Sequence, residues 1–98
     1  MARRPRQCPP GYPVHVVQRG NNRQVCFTSD SDLKAYANWL HQSAVQYAVD
    51  IHAWVFMTNH VHLLMTPHSA DSISRCIQRL GRHYVRFFNY RYSRTGTL

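Results

Sequence analysis

Two histidines lie two positions apart in an apolar stretch of the chain. They are His60 and His62, in the segment TNHVHLLM at residues 58–65. If this segment is a β-strand, positions i and i+2 share one face, and both imidazoles point the same way. Neutral imidazole nitrogens are common metal ligands, so the pair could form half of a metal site. The alternative is two surface or hydrogen-bonded histidines on a half-solvated sheet, because short motifs have a high false-positive rate.

The chain of 98 residues is strongly basic. Lys and Arg together number 12 against 4 acidic residues, which gives a formal net charge of +8, and every cation except Lys34 is an arginine. Guanidinium groups bind phosphates through two parallel hydrogen bonds, so this composition favours nucleic acid as the partner. A membrane surface is the competing partner. The apolar runs, such as residues 53–57, are far shorter than the roughly 20 residues of a spanning helix, and we expect no transmembrane segment.

Length and cysteine usage limit the class of protein further. A chain of this size holds one domain with one core. The basic start MARRPR is followed by the segment QCPPG rather than by the apolar segment of a secretory signal, so we expect no such signal and a cytoplasmic protein. Cys8, Cys26 and Cys76 are odd in number, widely spaced and without a CxxC pair. We therefore expect reduced thiols without a chemical role, rather than a disulfide framework or a zinc site.

The pattern along the chain predicts a basic, proline-rich arm at residues 1–12 and one domain at 13–98. We predict strands at 14–19, 51–57 and 60–66, and helices at about 31–47 and 71–92, the first helix beginning at a capping pair of Ser29 and Asp32. The order β-α-β-β-α is that of an α+β, ferredoxin-like (split βαβ) fold whose last strand is missing or supplied elsewhere. Its antiparallel sheet carries both helices on one face, and the third strand is central.

The turn between the second and third strands determines which side chains share a face with His62. An even number of residues in the turn, such as Thr58 and Asn59, puts Val55 on the side of His62 and His52 on the opposite side, whereas an odd number reverses this. With the even turn, His52 is a poor candidate for completing a metal site.

The last helix combines an apolar face with a row of arginines. The apolar face steps at helical intervals, and the opposite face carries Arg75, Arg79, Arg82 and Arg86, which we call the arginine stripe. With no acidic residue among them, these arginines are expected to form no ion pairs within the helix and to repel one another. We expect the stripe to bind the backbone of DNA or RNA, which positions a nucleic acid without reading its sequence. The alternative is an ordinary solvated helix face.

Three segments of the chain resemble a known family. They are residues 15–24, residues 51–67, and residues 84–89 together with 94–98. From about Tyr12 onward the chain is similar to the REP-associated tyrosine transposases, a branch of the HUH single-strand transposases of insertion-sequence origin. The resemblance implies that His60 and His62 bind a divalent metal, magnesium or manganese, and imidazole ligands favour a manganese-like ion. It also adds Arg19 and Arg23 to the expected DNA-binding residues.

The resemblance implies a chemistry whose nucleophile is not evident in this sequence. In the family, a tyrosine hydroxyl attacks a phosphate of single-stranded DNA and leaves a 5′-phosphotyrosine and a free 3′-hydroxyl. In the family, that tyrosine lies in a Tyr-Ile-x-x-Asn-Pro segment whose Asn completes the metal site. The 98 residues of this sequence contain no such segment. Tyr84 is the available substitute, but its place among Ile77, Leu80 and Phe87 predicts a core side chain. We therefore expect the nucleophile beyond this chain, which resembles the N-terminal part of a longer member.

Three hypotheses for function follow from these patterns. The first is metal-dependent nicking and rejoining of single-stranded or hairpin DNA. The second is a catalytically silent nucleic-acid-binding module derived from such a transposase. The third is a small RNA-binding domain that stacks bases on aromatic side chains of an open sheet face. Because a sheet that lacks a strand exposes an edge, a homodimer is a further possibility.

Overall fold

The computed structural model describes residues 8–19 and 27–96. Its elements are β1 (Val14–Arg19), α1 (Asp30–Gln46), β2 (Val49–Met57), β3 (His60–Pro67) and α2 (Ser72–Arg91). The predicted β-α-β-β-α order is confirmed, and every boundary lies within two residues of its prediction. Ser29 caps α1, where its side chain accepts a hydrogen bond from the backbone N–H of Asp32, as the capping pair predicts.

The three strands form one antiparallel sheet in the order β1-β3-β2. The central strand, β3, pairs on both sides, so that His62 lies opposite Val17 of β1 and Val55 of β2. Thr58 and Asn59 make the two-residue turn between β2 and β3. The α+β, split-βαβ prediction is therefore confirmed, with His60 and His62 in the central strand.

The sheet has one face covered by helices and one open face. On β3, Val61, Leu63 and Met65 are almost completely buried, whereas the residues between them are partly exposed. The buried face joins the core residues of α1 and α2, which include Leu40 and Leu80. Alternation along a strand therefore places His60 and His62 on the face opposite the helices.

A β-bulge in β2 alters the predicted position of His52. Ile51 pairs with Met65 and Ala53 pairs with Leu64, which leaves His52 as the extra residue. Its Nε2 lies 2.7 Å from Oγ1 of Thr66, a residue of the open face. The prediction that His52 lies opposite His62 is wrong, because it assumed a strand without a bulge. Thr66 is four residues along β3 from His62, about 13 Å at the usual strand rise, so His52 does not join the histidine pair.

The cysteines that the structure describes are free thiols inside the core. Cys8 and Cys76 are both buried, and Cys26 lies outside the described residues. The backbone N–H of Cys8 donates to the carbonyl of Ala70 at 3.1 Å, so the chain already packs on the domain at residue 8. Neither described helix is long and apolar enough to cross a membrane.

Candidate functional site

Three histidines lie together on the open face of the sheet. His60 and His62 project from β3 with ring centroids 5.0 Å apart and ring planes at 74°. His15 of β1 joins them, because the antiparallel register places it opposite Leu64, on the same face as His62. The Nε2 atom of His15 lies 3.0 Å from Nδ1 of His62. We call these three residues the histidine cluster.

The hydrogen bond of His60 determines which of its nitrogens can bind a ligand. Its Nδ1 lies 2.8 Å from Oδ1 of Asn59, in the β2–β3 turn. An amide oxygen only accepts hydrogen bonds, so the proton of a neutral His60 resides on Nδ1. The lone pair on Nε2 is then available to a metal ion.

His15 and His62 meet edge to edge. Their ring planes differ by only 8° and their centroids are 5.2 Å apart. The nitrogen-to-nitrogen distance of 3.0 Å plus the two ring radii add up to almost the whole distance between the centroids. The two nitrogens therefore lie close to the line that joins the ring centres. The contact is therefore an in-plane N–H···N hydrogen bond rather than face-to-face stacking.

The surroundings of His62 favour its neutral form. Partial burial lowers the pKa of His62, and electrostatic repulsion between a protonated His62 and its neighbours His60, His15 and Arg19 lowers it further. A neutral imidazole is the form that binds metal ions. The same surroundings offer a positive charge to an anion, because Arg19 lies directly opposite His60 across the β1–β3 pair and is exposed.

Apart from its polar groups, the open face is aliphatic. Val55, Met57 and Leu64 are 55%, 46% and 38% exposed around the histidine cluster. None of the open-face positions in the three described strands carries Phe, Tyr or Trp. An RNA-binding domain of this fold would stack bases on such aromatic side chains, so this arrangement counts against the third hypothesis.

The described residues supply part of a metal site. Among them, no group of three or more His, Cys, Asp or Glu side chains is arranged to hold a metal ion. His60 and His62 fit a divalent cation as two nitrogen donors. Sites that act on phosphates commonly complete the coordination with water and substrate oxygens, so two protein ligands are compatible with that class of site.

Tyr84 lies in the core, as its place in the helical pattern predicts. It is 3% exposed and packs among aromatic side chains that include Phe27, Tyr36 and Phe88. These residues occupy the helix side of the sheet, whereas His60 and His62 occupy the other side. The sheet therefore separates the Tyr84 hydroxyl from the predicted metal ligands.

The arginine stripe differs from its prediction in one respect. Nε of Arg75 forms an ion pair with Asp71 at 2.7 Å, so the expectation of no ion pair along this helix is wrong. The reason is that Asp71, the N-cap residue, lies one turn before Arg75. Nη1 of Arg79 donates to Oγ of Ser43 at 3.0 Å and connects α2 to α1.

The remaining arginines of the stripe form a separate surface from the histidine cluster. Arg82 and Arg86 are exposed, and neither has an ion-pair partner within residues 8–19 and 27–96. They lie on the side of α2 that faces away from the core, and thus on the opposite side of the domain from His60. The predicted DNA-binding residues therefore divide between two surfaces, and Arg23 lies outside the described residues.

Two contributors to the site were missed in the sequence. The sequence pattern predicts only a turn residue at Asn59, although its position next to His60 is a usable signal. His15 gave no such signal, because its approach to His62 depends on the pairing of strands that are 47 residues apart.

The sheet order, the helices on one face and the paired histidines on the other place this domain in the ferredoxin-like, split-βαβ class. The family model described as "Transposase IS200 like" matches residues 10–97, and the chain belongs to that family. Among solved structures, a REP-associated tyrosine transposase bound to a REP hairpin shares the fold with a TM-score of 0.72 and 17% sequence identity. The match covers 91% of this chain and 54% of that one, so this chain spans about half of that transposase. No curated protein sequence matches the chain.

Proposed function

We propose that this chain is the metal- and DNA-binding part of a transposase that nicks and rejoins single-stranded or hairpin DNA. The observation that carries the proposal is the pair of same-face imidazoles, His60 and His62, beside Arg19 on the open face. The Nδ1 atom of each imidazole is already in a hydrogen bond, which leaves both Nε2 atoms as the ligand positions. Membership of the IS200-like transposase family supports the same proposal.

The described residues have distinct roles in this proposal. His60 and His62 would hold a divalent cation, manganese in preference to magnesium because imidazole suits transition metals better. When bound, this cation would polarise the scissile phosphate and stabilise the charge that develops on its oxygens. Arg19 would bind the non-bridging oxygens of a phosphate through its guanidinium group and orient the strand across the open face.

The proposed reaction is a transfer of a phosphate from DNA to a tyrosine. The tyrosine oxygen forms a bond to phosphorus, the bond from phosphorus to the 3′-oxygen breaks, and the tyrosine proton ends on that oxygen. The products are a 5′-phosphotyrosine and a free 3′-hydroxyl, and reversal rejoins the strand. Tyr84 is buried on the other side of the sheet, and none of the tyrosines in this sequence lies in a Tyr-Ile-x-x-Asn-Pro segment, so we assign the attack to a tyrosine outside these 98 residues. The share of the structural neighbour that this chain matches, 54%, is compatible with that assignment.

The net charge of the chain and its structural neighbour support DNA as the partner. The chain carries a formal net charge of +8, and its structural neighbour is a transposase bound to a hairpin. Arg82 and Arg86 supply a second positive surface, which suits a nucleic acid that reaches both sides of a small domain. A cytoplasmic location and a homodimer formed through the edges of β1 or β2 stay predictions.

Metal binding tests the proposal directly. We expect manganese titrated into the protein in a calorimeter to bind the wild type and not the double variant His60→Ala, His62→Ala. The matched control is His68→Ala, because His68 is an exposed histidine that pairs with Asp50 instead of joining the histidine cluster. Equal binding by wild type and double variant would refute the metal site, whereas loss in the double variant alone supports it.

The burial of Tyr84 also favours a second candidate, the catalytically silent DNA-binding module. Covalent trapping on a labelled single-stranded hairpin distinguishes the two functions when the protein tested also contains the proposed tyrosine segment, because these 98 residues alone should form no adduct under either function. An adduct that survives denaturant supports strand transfer, and its loss in Tyr84→Phe would overturn our assignment of the nucleophile. Salt-sensitive binding without any adduct would favour the silent module.

A further inference from the structure

We propose that His15 is a positioning residue, which fixes the proton of His62 on Nδ1 and so keeps Nε2 of His62 ready to bind the metal. This inference rests on the metal site proposed above. It concerns a residue of β1 that touches neither metal nor substrate and acts only through His62. The 3.0 Å in-plane contact between Nε2 of His15 and Nδ1 of His62 is the observation behind it.

The proton in the hydrogen bond between His15 and His62 can belong to either residue. If His15 donates from Nε2, then Nδ1 of His62 accepts, and the proton of neutral His62 is on Nε2, where it blocks metal binding. If Nδ1 of His62 donates, then Nε2 of His15 accepts, and Nε2 of His62 carries a free lone pair. Only the second arrangement is compatible with the proposed site, and it places the proton of His15 on its own Nδ1.

The second arrangement makes the two proposed ligands equivalent. His60 donates from Nδ1 to the amide oxygen of Asn59 at 2.8 Å, and His62 donates from Nδ1 to His15. Metal-binding histidines almost always donate their other ring N–H to a neighbouring acceptor, which sets the tautomer and the ring orientation. Asn59 and His15 are acceptors in these positions. Each ligand thus has one partner that leaves Nε2 available.

The geometry assigns His15 this indirect role rather than that of a third ligand. Its Nε2 is engaged with His62, and the described histidines do not form a three-membered group that could hold a metal ion. A third ligand would have to break this hydrogen bond before it reached the metal. A positioning residue keeps the hydrogen bond in the metal-free and metal-bound protein alike.

The first test determines which ring nitrogen of His62 carries the proton in the metal-free protein. Long-range ¹⁵N–¹H correlation spectra, recorded well above the usual imidazole pKa, distinguish protonated Nδ1 from protonated Nε2. We expect the proton of His62 on Nδ1 in the wild type and redistributed toward Nε2 in His15→Phe, which keeps a ring without an acceptor. A wild-type proton on Nε2, or a tautomer that does not change in His15→Phe, would overturn the proposal.

The second test measures manganese affinity in the same proteins. We expect His15→Phe to bind about tenfold to a hundredfold more weakly, the usual effect of losing such a partner. His15→Gln should recover most of the affinity, because its amide oxygen can accept from Nδ1 of His62. His52→Phe is the control, since it changes a histidine of the same face that bonds to Thr66 instead. Circular dichroism confirms that each variant is folded, and His15→Val, a β-branched residue that also lacks an acceptor, stands in if His15→Phe is not.

The outcomes separate this inference from the proposed function. Unchanged affinity in His15→Phe would overturn the positioning role while the metal site stands. A different result would be that His15→Phe loses manganese affinity as completely as His62→Ala and shows one fewer nitrogen ligand in the electron paramagnetic resonance spectrum. That result would make His15 a metal ligand and would also overturn the positioning role. If wild type binds no manganese, the proposed function fails, and the metal-free tautomer measurement still decides the role of His15 in orienting His62.

Discussion

The hydroxyl of Tyr92 donates a hydrogen bond of 2.6 Å to Oδ2 of Asp32, 60 residues away in sequence. This contact connects the C-terminal end of α2 to the first turn of α1. Asp32 is completely buried, and the backbone N–H and the hydroxyl of Thr28 also donate to its Oδ2, each at 2.8 Å. Nε of Arg91 lies 3.5 Å from Oδ1. A charged side chain inside the core therefore connects both helices and the segment before α1.

Replacing Asp32 by Asn should destabilise the fold. Burial by itself raises the pKa of Asp32, but the hydrogen bonds from Tyr92 and Thr28 and the charge of Arg91 outweigh burial, and the pKa is lowered from 3.8. Asn keeps the shape and loses the charge, so we expect Asp32→Asn to lose about 2–4 kcal/mol of unfolding free energy at neutral pH. Denaturant unfolding measures this loss, with Asp30→Asn, an exposed acid of the same turn, as the control.

The loss in Asp32→Asn should depend on pH with a defined sign. Because the folded protein lowers the pKa, the ionised carboxylate stabilises the fold fully above the unfolded value of 3.8 and ceases to do so as the pH falls below it. The difference between wild type and variant should therefore shrink below that pH. A difference that grows on acidification would contradict the assignment of Asp32 as a stabilising anion.

Arg82 and Arg86 should contribute to DNA binding more than Arg75 does. Arg75 is already paired with Asp71, whereas Arg82 and Arg86 have no ion-pair partner among the described residues. For duplex DNA, each lost phosphate contact should reduce the slope of log affinity against log salt by about 0.9. Fluorescence anisotropy at several salt concentrations should show this change in Arg82→Gln and Arg86→Gln, and little change in Arg75→Gln. Slopes equal to that of the wild type in all three variants would remove the stripe from the interface.

Arg19 should act on the single strand at the open face. It lies opposite His60, on the other side of the domain from Arg82. We expect Arg19→Gln to weaken binding of a single-stranded oligonucleotide and to reduce its salt slope by about 0.7, the value for one phosphate of a single strand. The control is Gln18→Ala, a neighbour on β1 whose side chain alternates to the other face. If Arg19→Gln and Gln18→Ala changed the affinity and the salt slope equally, the DNA strand would not bind at Arg19.

The thiol of Cys76 should resist alkylation in the native protein. Burial raises the pKa of Cys76 to about 11, although the nearby Arg79 opposes this change. The reactive thiolate is therefore scarce at neutral pH, and the side chain is also inaccessible. Mass spectrometry after a timed exposure to iodoacetamide should find Cys76 modified far more slowly in folded than in denaturant-unfolded protein. Equal rates would show that α2 opens readily from the core.

Local patterns in the sequence determined much of this protein. Periodicity fixed the order of the elements, the apolar face of α2 and the shared face of His60 and His62, because side-chain direction repeats every two residues on a strand and every 3.6 on a helix. Tyr84 follows the same rule: its spacing predicts a buried residue, and it is buried. The capping of α1 by Ser29 is also local, since it depends on residues three positions apart.

Only the tertiary structure decided which distant residues meet. His15 reaches His62 because β1 pairs with β3 in one register, and a shift of one residue would turn His15 to the other face. The bulge at His52 reverses its predicted face, since a bulge interrupts the period on which that prediction depends. The separation of Arg82 from the histidine cluster follows from the layering of helices on one side of the sheet. Such features depend on packing between segments far apart in the chain, which no local pattern of residues encodes.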